Sequence, residues 1–358
     1  MKSKFRQLKN PIVFIGLLTG LAFMSLSCQK QSNELQQETY DTHKAKQGPQ
    51  KEEIVVVANR GSGSISFIDA ISDVVVETLP IAGSEPMYVV YAPAHDRIYV
   101  GDRAQNKVHV INPSVPEVES AIDVGNGVFH MWADGNGDQL WVNNDVDQTT
   151  SVIDLHANSV IETISIGAKP HDVFVSEDGS RAFISVFKPD ADADQVFMYS
   201  TSTFQKTGEQ DVGRDPHLYH LSRKDKLYVP CQSGKVYALD GSDLSILNEN
   251  DYAGAHGIFG TLNQNTIFVT NLPGAQIYSI NTIKDKLIGT PATTDPIPHN
   301  LVVNKKASKL FVTHSGGTAN TVSVFDIDPN KELSFNTTLT VENNPFGLAY
   351  YMRHTNKD

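Results

Sequence analysis

From Ile54 onward, apolar residues come in runs of four to seven broken by Gly, Asn, Asp and Pro, and nowhere at the 3.6-residue period of an amphipathic helix. This pattern predicts β-strands throughout. Aligned on one another, the runs repeat about every forty residues, the length of a four-stranded propeller blade. Innermost strands are expected to begin at Pro86-Met87-Tyr88, Phe129-His130-Met131, Pro170-His171-Asp172, Pro216-His217-Leu218, Ala255-His256-Gly257, Pro298-His299-Asn300 and Pro345-Phe346-Gly347. Second strands follow, from Ile98-Tyr99-Val100 to Leu310-Phe311-Val312, and then third strands, from Val108-His109-Val110-Ile111 to Val322-Ser323-Val324-Phe325. The last innermost strand has no partners behind it, whereas Val55-Val56-Val57 and Ile65-Ser66-Phe67-Ile68 have no innermost strand before them. Pairing the two ends completes a blade and leaves no sheet edge open. The expectation is an all-β fold: a seven-bladed β-propeller over residues 54–352, closed by pairing of its N- and C-terminal strands, with 353–358 as a tail.

The repeat carries candidate chemistry. His130, His171, His217, His256 and His299 recur at spacings of 41, 46, 39 and 43 residues, at the starts of successive innermost strands. Innermost strands line the central channel, so this phase predicts an arc of imidazoles at one mouth. Crowded imidazoles resist joint protonation, and neutral imidazoles are good ligands for zinc or copper. A second ring is expected where the second strands end at the same mouth, at Asn59, Asp102, Asn144, Val186, Cys231, Asn271 and His314. Asp102, Cys231 and His314 are therefore further candidate metal ligands. Met87, at the histidine phase of the first innermost strand, offers a thioether suited to cuprous copper. Arg60 and Arg103 follow ring positions in adjacent blades and are candidates for a pocket edge that takes a carboxylate or phosphate. A blander reading makes the histidines part of a copied Pro-His turn. Yet Pro precedes only three of the five and Gly follows only one, so the imidazole persists where its neighbours vary. The alternating carboxylates Asp190, Asp192 and Asp194 lack the Gly and terminal Glu of a calcium loop. No nucleophile elbow, Gly-rich phosphate loop or haem-attachment motif is present, so no catalytic residue is assigned.

The N-terminus changes the expected location. Basic Lys2, Lys4 and Arg6 precede an apolar run from Ile12 to Leu18, and the stretch closes at Met24-Ser25-Leu26-Ser27-Cys28, which reads as an export signal over residues 1–27. Cys28 resembles the lipobox cysteine of bacterial lipoproteins, with Ser25 where that family usually has Leu. The resemblance implies lipidation of Cys28 and, with Gln29 after it, an outer-membrane address in a bacterial cell envelope. Residues 28–53 are almost devoid of apolar side chains and are expected to form a tether. The formal charge is −12, and residues 1–27 carry only Lys2, Lys4, Arg6 and Lys9, so their removal takes it to −16. Such acidity argues against nucleic acid and against anionic membrane, leaving the lipid anchor as the membrane contact.

The Pro-x strand starts, turns such as Ser176-Glu177-Asp178-Gly179, and Tyr-Val or Phe-Val strands ending in Asn or Thr resemble the YVTN family of seven-bladed propellers over roughly residues 54–351. That resemblance implies fold more than function. In general plan the histidine arc is also similar to propeller metallochaperones that accompany zinc transporters and to the multi-histidine propeller of nitrous oxide reductase, without the latter's cupredoxin domain. The expected function is binding of copper or zinc for carriage or delivery, with a metal transporter or acceptor protein as partner. The alternatives are a metal-dependent lyase or hydrolase at the same site, and a surface binding or scaffold propeller with structural histidines.

Overall fold

Why continuous apolar runs make strands here is visible in Ile54–Ala58, all five of which are buried. Alternate side chains leave a strand on opposite faces, and each face of this sheet is covered by a different neighbour. Ile54, Val56 and Ala58 pack with Val89, Ile98 and Val100 on one side, whereas Val55 and Val57 pack with Val302, Phe311 and Val322 on the other. Blades stacked face to face around a ring require this pattern, and a one-sided sheet would not.

The structure, a computed structural model, describes residues 50–355. Seven antiparallel sheets follow in chain order, each built outward from an innermost strand. Six of those strands are Pro86–Ala92, Val128–Ala133, Lys169–Val175, Tyr219–Leu221, Ala255–Gly260 and Pro298–Val303. The seventh, Pro345–Thr355, pairs with Gln50–Asn59 from the front of the chain and closes the ring as the sequence predicts. The outer strand of the sixth sheet in chain order is broken into Lys286–Leu287 and Ala292–Thr293. Among the described residues the one helix is the short 3₁₀ turn Ser222–Lys224.

Both chain ends reach further into the fold than the apolar pattern suggests. The first strand starts at Gln50, and Arg353 lies within the last strand, where it pairs with Glu52 at 2.6 Å and Asp96 at 3.2 Å. Tyr350 donates its hydroxyl proton to Glu53 at 2.8 Å. Charged side chains at these positions hid the strands from a reading based on apolar runs. The export signal, Cys28 and residues 29–49 of the tether lie outside the described residues.

Candidate functional site

A bulge repeated in the innermost strands creates the site. Pro170 pairs with Val186 and Val173 with Ile184, so three steps on the inner strand match two on its partner. The same slip follows Pro86, Val128, Ala255 and Pro298. A bulge leaves one residue unpaired and re-aims the side chains beside it. The first bulge position holds Met87, Phe129, His171, His217, His256, His299 and Phe346, if Pro216, bridged to Cys231, and Pro345 are taken as the equivalent anchors.

This register corrects the expected arc. His130 lies one residue later than the other four, at the position of Tyr88, Asp172 and Asn300, because Val128 rather than Phe129 pairs with Asn144. Four histidines share one phase: His171, His217, His256 and His299. They run side by side, with ring centroids 4.9, 3.9 and 4.8 Å apart in that order. All are buried. His171 is stacked between Phe129 and Phe187, and His299 rests on Phe346. Gly257 keeps the third and fourth close, since a Cβ there would stand 2.1 Å from the His299 carbonyl oxygen.

Two carboxylates complete the cluster. Asp215 Oδ1 lies 3.2 Å from His171 Nε2 and 3.6 Å from His217 Nε2. Asp172 Oδ2 accepts the Leu218 amide proton at 2.9 Å and lies 3.6 Å from His217 Nδ1. Asp215 holds a left-handed backbone conformation (φ 56°) just before the innermost strand, where Gly127, Gly254, Ile297 and Asn344 are left-handed too. Its amide donates to Asp194 Oδ2 at 2.9 Å, and Asp194 is clamped by Arg214 at 2.8 Å. The acidic loop weighed for calcium thus serves to hold Asp215, and Arg214 fills the place of a cation.

Among the described residues neither Asp172 nor Asp215 meets a Lys or Arg, and imidazoles are their only ionisable counterparts within ion-pair distance. Burial pulls the His217 imidazole down, but Asp172 and Asp215 outweigh it and raise its pKa to about 9. Burial pushes Asp215 up, and His171 and His217 more than reverse this, holding it well below the usual carboxylate range. A positive charge between the two carboxylates is what the field demands. Even so, His171 Nε2, His217 Nε2, Asp215 Oδ1, Asp172 Oδ1 and both ring nitrogens of His256 have no hydrogen-bond partner among the described residues. Ligand atoms of His171, Asp215 and His217 lie within 4.8 Å of one another, a group that can hold a metal ion. Tetrahedral ligands of a zinc ion bonded at about 2.0–2.1 Å stand about 3.3 Å apart. The separations of 3.2 and 3.6 Å bracket that value.

The other candidates sit elsewhere. His130 accepts the Val173 amide proton at Nδ1 (3.2 Å), which places the proton of the neutral ring on Nε2, 3.0 Å from Asp172 Oδ1. With Nδ1 taken by the Val173 amide and Nε2 facing the Asp172 carboxylate, His130 sits beside Asp172 and outside the group that can hold an ion. Side chains of the second ring turn away from the channel toward the third strands. Asp102 accepts from His109 at 2.9 Å and from the Glu85 and Ala104 amides, and Asn59, Asn144 and Asn271 bond Ser66, Ser151 and Tyr278. His314 meets Ser323 Oγ at 2.8 Å and the Pro296 carbonyl at 3.1 Å. Strand pairing sets Asp102, Cys231 and His314 opposite Pro86, Pro216 and Pro298, level with the arc, but the side chains of the cluster come from the bulged inner strands and the turn that holds Asp215. Met87 is fully buried in an apolar cluster with Val108, Val128 and Phe346. Arg60 pairs with Glu85 and Arg103 with Asp145, so both guanidinium groups are already engaged by carboxylates.

Cys231 is fully buried, with Sγ 3.7 Å from the Val229 carbonyl oxygen, and burial pushes its thiol well above the usual range. Only the thiolate reacts or binds metal. Alkylation by iodoacetamide, followed by mass spectrometry, is expected to spare Cys231 in the folded protein and to modify it once the chain is unfolded.

Asp172 and Asp215 do not recur with the blade period, so the repeat that exposes the histidines does not expose them. Aspartate appears beside the histidine in only two adjacent blades, as Pro170-His171-Asp172 and Asp215-Pro216-His217. The available signal was that break in symmetry.

No protein-family model and no curated protein sequence matches the chain. Solved structures do. The periplasmic gluconolactonase PpgL of Pseudomonas aeruginosa superposes with a TM-score of 0.67 at 17% identity, over 84% of this chain and 99% of that one. Hydrazine synthase of Kuenenia stuttgartiensis gives 0.65 at 13% identity, over 77% and 97%. The dihydro-heme d1 dehydrogenase NirN gives 0.60 at 12%, over 83% and 74%. At these identities the likeness establishes the propeller fold and nothing finer.

Buried neutral histidines make an acid-sensitive fold. Burial, partly offset by Asp172, lowers His130 to about 4; burial together with the His217 charge lowers His299 to about 3. Between pH 6.5 and those values the unfolded chain takes up protons that the folded chain refuses, so stability falls as pH falls. Each group contributes roughly 3–5 kcal/mol over the full window. His217 has the opposite sign, since its stabilisation is complete below pH 6.5 and is lost as pH rises through about 9. Melting temperatures of metal-free protein are therefore expected to peak near neutral pH and fall on both sides, with the acid limb shallower in His130→Gln.

Proposed function

We propose that this protein is an exported, YVTN-type propeller lipoprotein that binds one divalent transition-metal ion, zinc or copper, through His171, His217 and Asp215, for carriage or delivery in the cell envelope. One observation carries the reading. Among the described residues, two carboxylates at the channel mouth have imidazoles as their only ionisable partners, and several of the facing atoms are buried without a hydrogen bond. Buried polar atoms are nearly always paired, and buried charge is compensated or coordinates metal. The donors are nitrogen and oxygen, which suits zinc or cupric ion better than cuprous ion. Lipidation at Cys28 would tether the domain to the outer membrane, with a metal transporter or acceptor protein as its natural partner.

A metal-dependent lyase or hydrolase at the same site is the second reading, favoured by a three-residue ligand set that leaves one coordination position free. Against it, Arg60 and Arg103 are tied into ion pairs, and cavities of about 240, 210 and 440 Å³ lie where the innermost strands end, walled by Trp132, Phe174, Tyr219, Phe259, Tyr91 and Tyr350. Elemental analysis of the full chain, purified without an affinity tag and then offered zinc or copper, tests the proposal. One ion per chain is expected. Failure to take up either metal would leave a scaffold or ligand-binding propeller with structural histidines.

A further inference from the structure

His256 is the one histidine of the arc with both ring nitrogens fully buried and without a hydrogen-bond partner among the described residues, and only 5% of its surface is exposed. A neutral imidazole presents one donor and one acceptor, so His256 leaves both unmet. Its ring centroid is 3.9 Å from that of His217, and its Nδ1 is 3.9 Å from Asp215 Oδ2. That separation exceeds a hydrogen bond and is short enough for one small molecule to bridge. His256 also stands outside the group whose ligand atoms lie within 4.8 Å of one another, so it borders the ion position without belonging to the three-residue set.

Zinc sites with four protein ligands are closed, whereas sites with three keep a position for water or another exogenous ligand. We propose that the ion bound by His171, His217 and Asp215 carries a small exogenous ligand, water, hydroxide or a compact anion, and that His256 hydrogen-bonds that ligand. The inference rests on the metal-binding reading above. The ligand must be small because His217 and His299 flank His256 and the Gly257 backbone abuts the His299 carbonyl. Asp215, with about a quarter of its side chain exposed, gives the solvent side of the position. His256 is a positioning residue for the bound ligand and leaves the ion to the other three.

The test is an azide titration of the copper(II)-loaded full chain, followed by the azide-to-copper charge-transfer absorption, with copper content measured on the same samples. Wild type is expected to develop the band saturably. His256→Ala should keep one copper per chain and bind azide about tenfold more weakly or worse, and His256→Asn, which retains a donor and an acceptor, should recover part of the affinity. Circular dichroism checks folding, and if the Ala variant is unfolded the Asn variant against wild type carries the comparison, with any weakening required to leave copper content unchanged. Copper-loaded wild type without an azide band would mean a closed site and overturn the inference. So would loss of copper in a folded His256 variant, which would make His256 a fourth ligand. Failure of wild type to load copper is a distinct result that overturns the metal reading itself and this inference with it.

Discussion

Asp215→Ala is expected to weaken zinc or copper binding by about a hundredfold or more, while His130→Gln and His314→Gln leave it within a few-fold of wild type. Outer-shell partners of metal ligands are typically worth about 10–100-fold, and Asp215 is placed to touch the ion: its Oδ1 faces both His171 Nε2 and His217 Nε2. Without it two imidazoles remain as ligands, and the ion would face Asp172 only across His217. A ligand present at a thousand times its Kd adds about 4 kcal/mol to stability. For a domain of this size that is a rise of roughly 8 °C in melting temperature, which Asp215→Ala should abolish. Isothermal titration with zinc and melting curves with and without metal measure both effects. Equal losses in His130→Gln would restore the five-histidine arc and contradict the register; an unchanged affinity in Asp215→Ala would remove Asp215 from the site.

That contrast between His130 and His171 marks where sequence reading stopped. Blade count, strand order and ring closure were legible because each rests on apolar runs whose spacing survives small errors of register. The site depends on a single residue of register. A bulge after Pro170 or Val128 costs one position, and both Phe129 and His130 look equally able to start a strand when only the apolar pattern is available. Backbone pairing, which fixes Val128 against Asn144, decides between them.

The second ring failed for a different reason. Strand pairing correctly set Asp102, Cys231 and His314 level with the arc, opposite Pro86, Pro216 and Pro298. Height along the channel axis does not give direction, however. In a blade the second strand projects its side chains onto the two sheet faces, where Asp102 finds His109 and His314 finds Ser323. The bulged innermost strand escapes that alternation, so the histidines and Asp172 come from its two bulge positions, and Asp215 joins them from the left-handed turn just before Pro216.

Ending the chain at Asn344 is expected to abolish the monomeric fold, because the strand it removes both closes the ring and backs the site. Phe346, Leu348 and Tyr351 are buried, and losing them forfeits about 1.5–3 kcal/mol each. Tyr351 also stacks on Tyr91 with centroids 4.5 Å apart, and Arg353 ties the strand to Glu52. The sum is comparable to the roughly 5–15 kcal/mol that holds a typical domain together. The inner edge of Gln50–Asn59 would then be unpaired, an apolar strand edge open to any other chain. Insoluble or oligomeric material by size-exclusion chromatography, without a cooperative melt, is the expected outcome. Adding a peptide of residues 345–355 during refolding should rescue some monomer. The mouth would be lost as well, since the Phe346 carbonyl accepts from Thr313 at 2.8 Å and from Asn300 at 3.2 Å, and its ring supports His299. Rescued monomer should therefore regain metal uptake in proportion to the peptide bound. A truncated chain that stays monomeric and melts like wild type would show that six blades hold the ring without the closing strand.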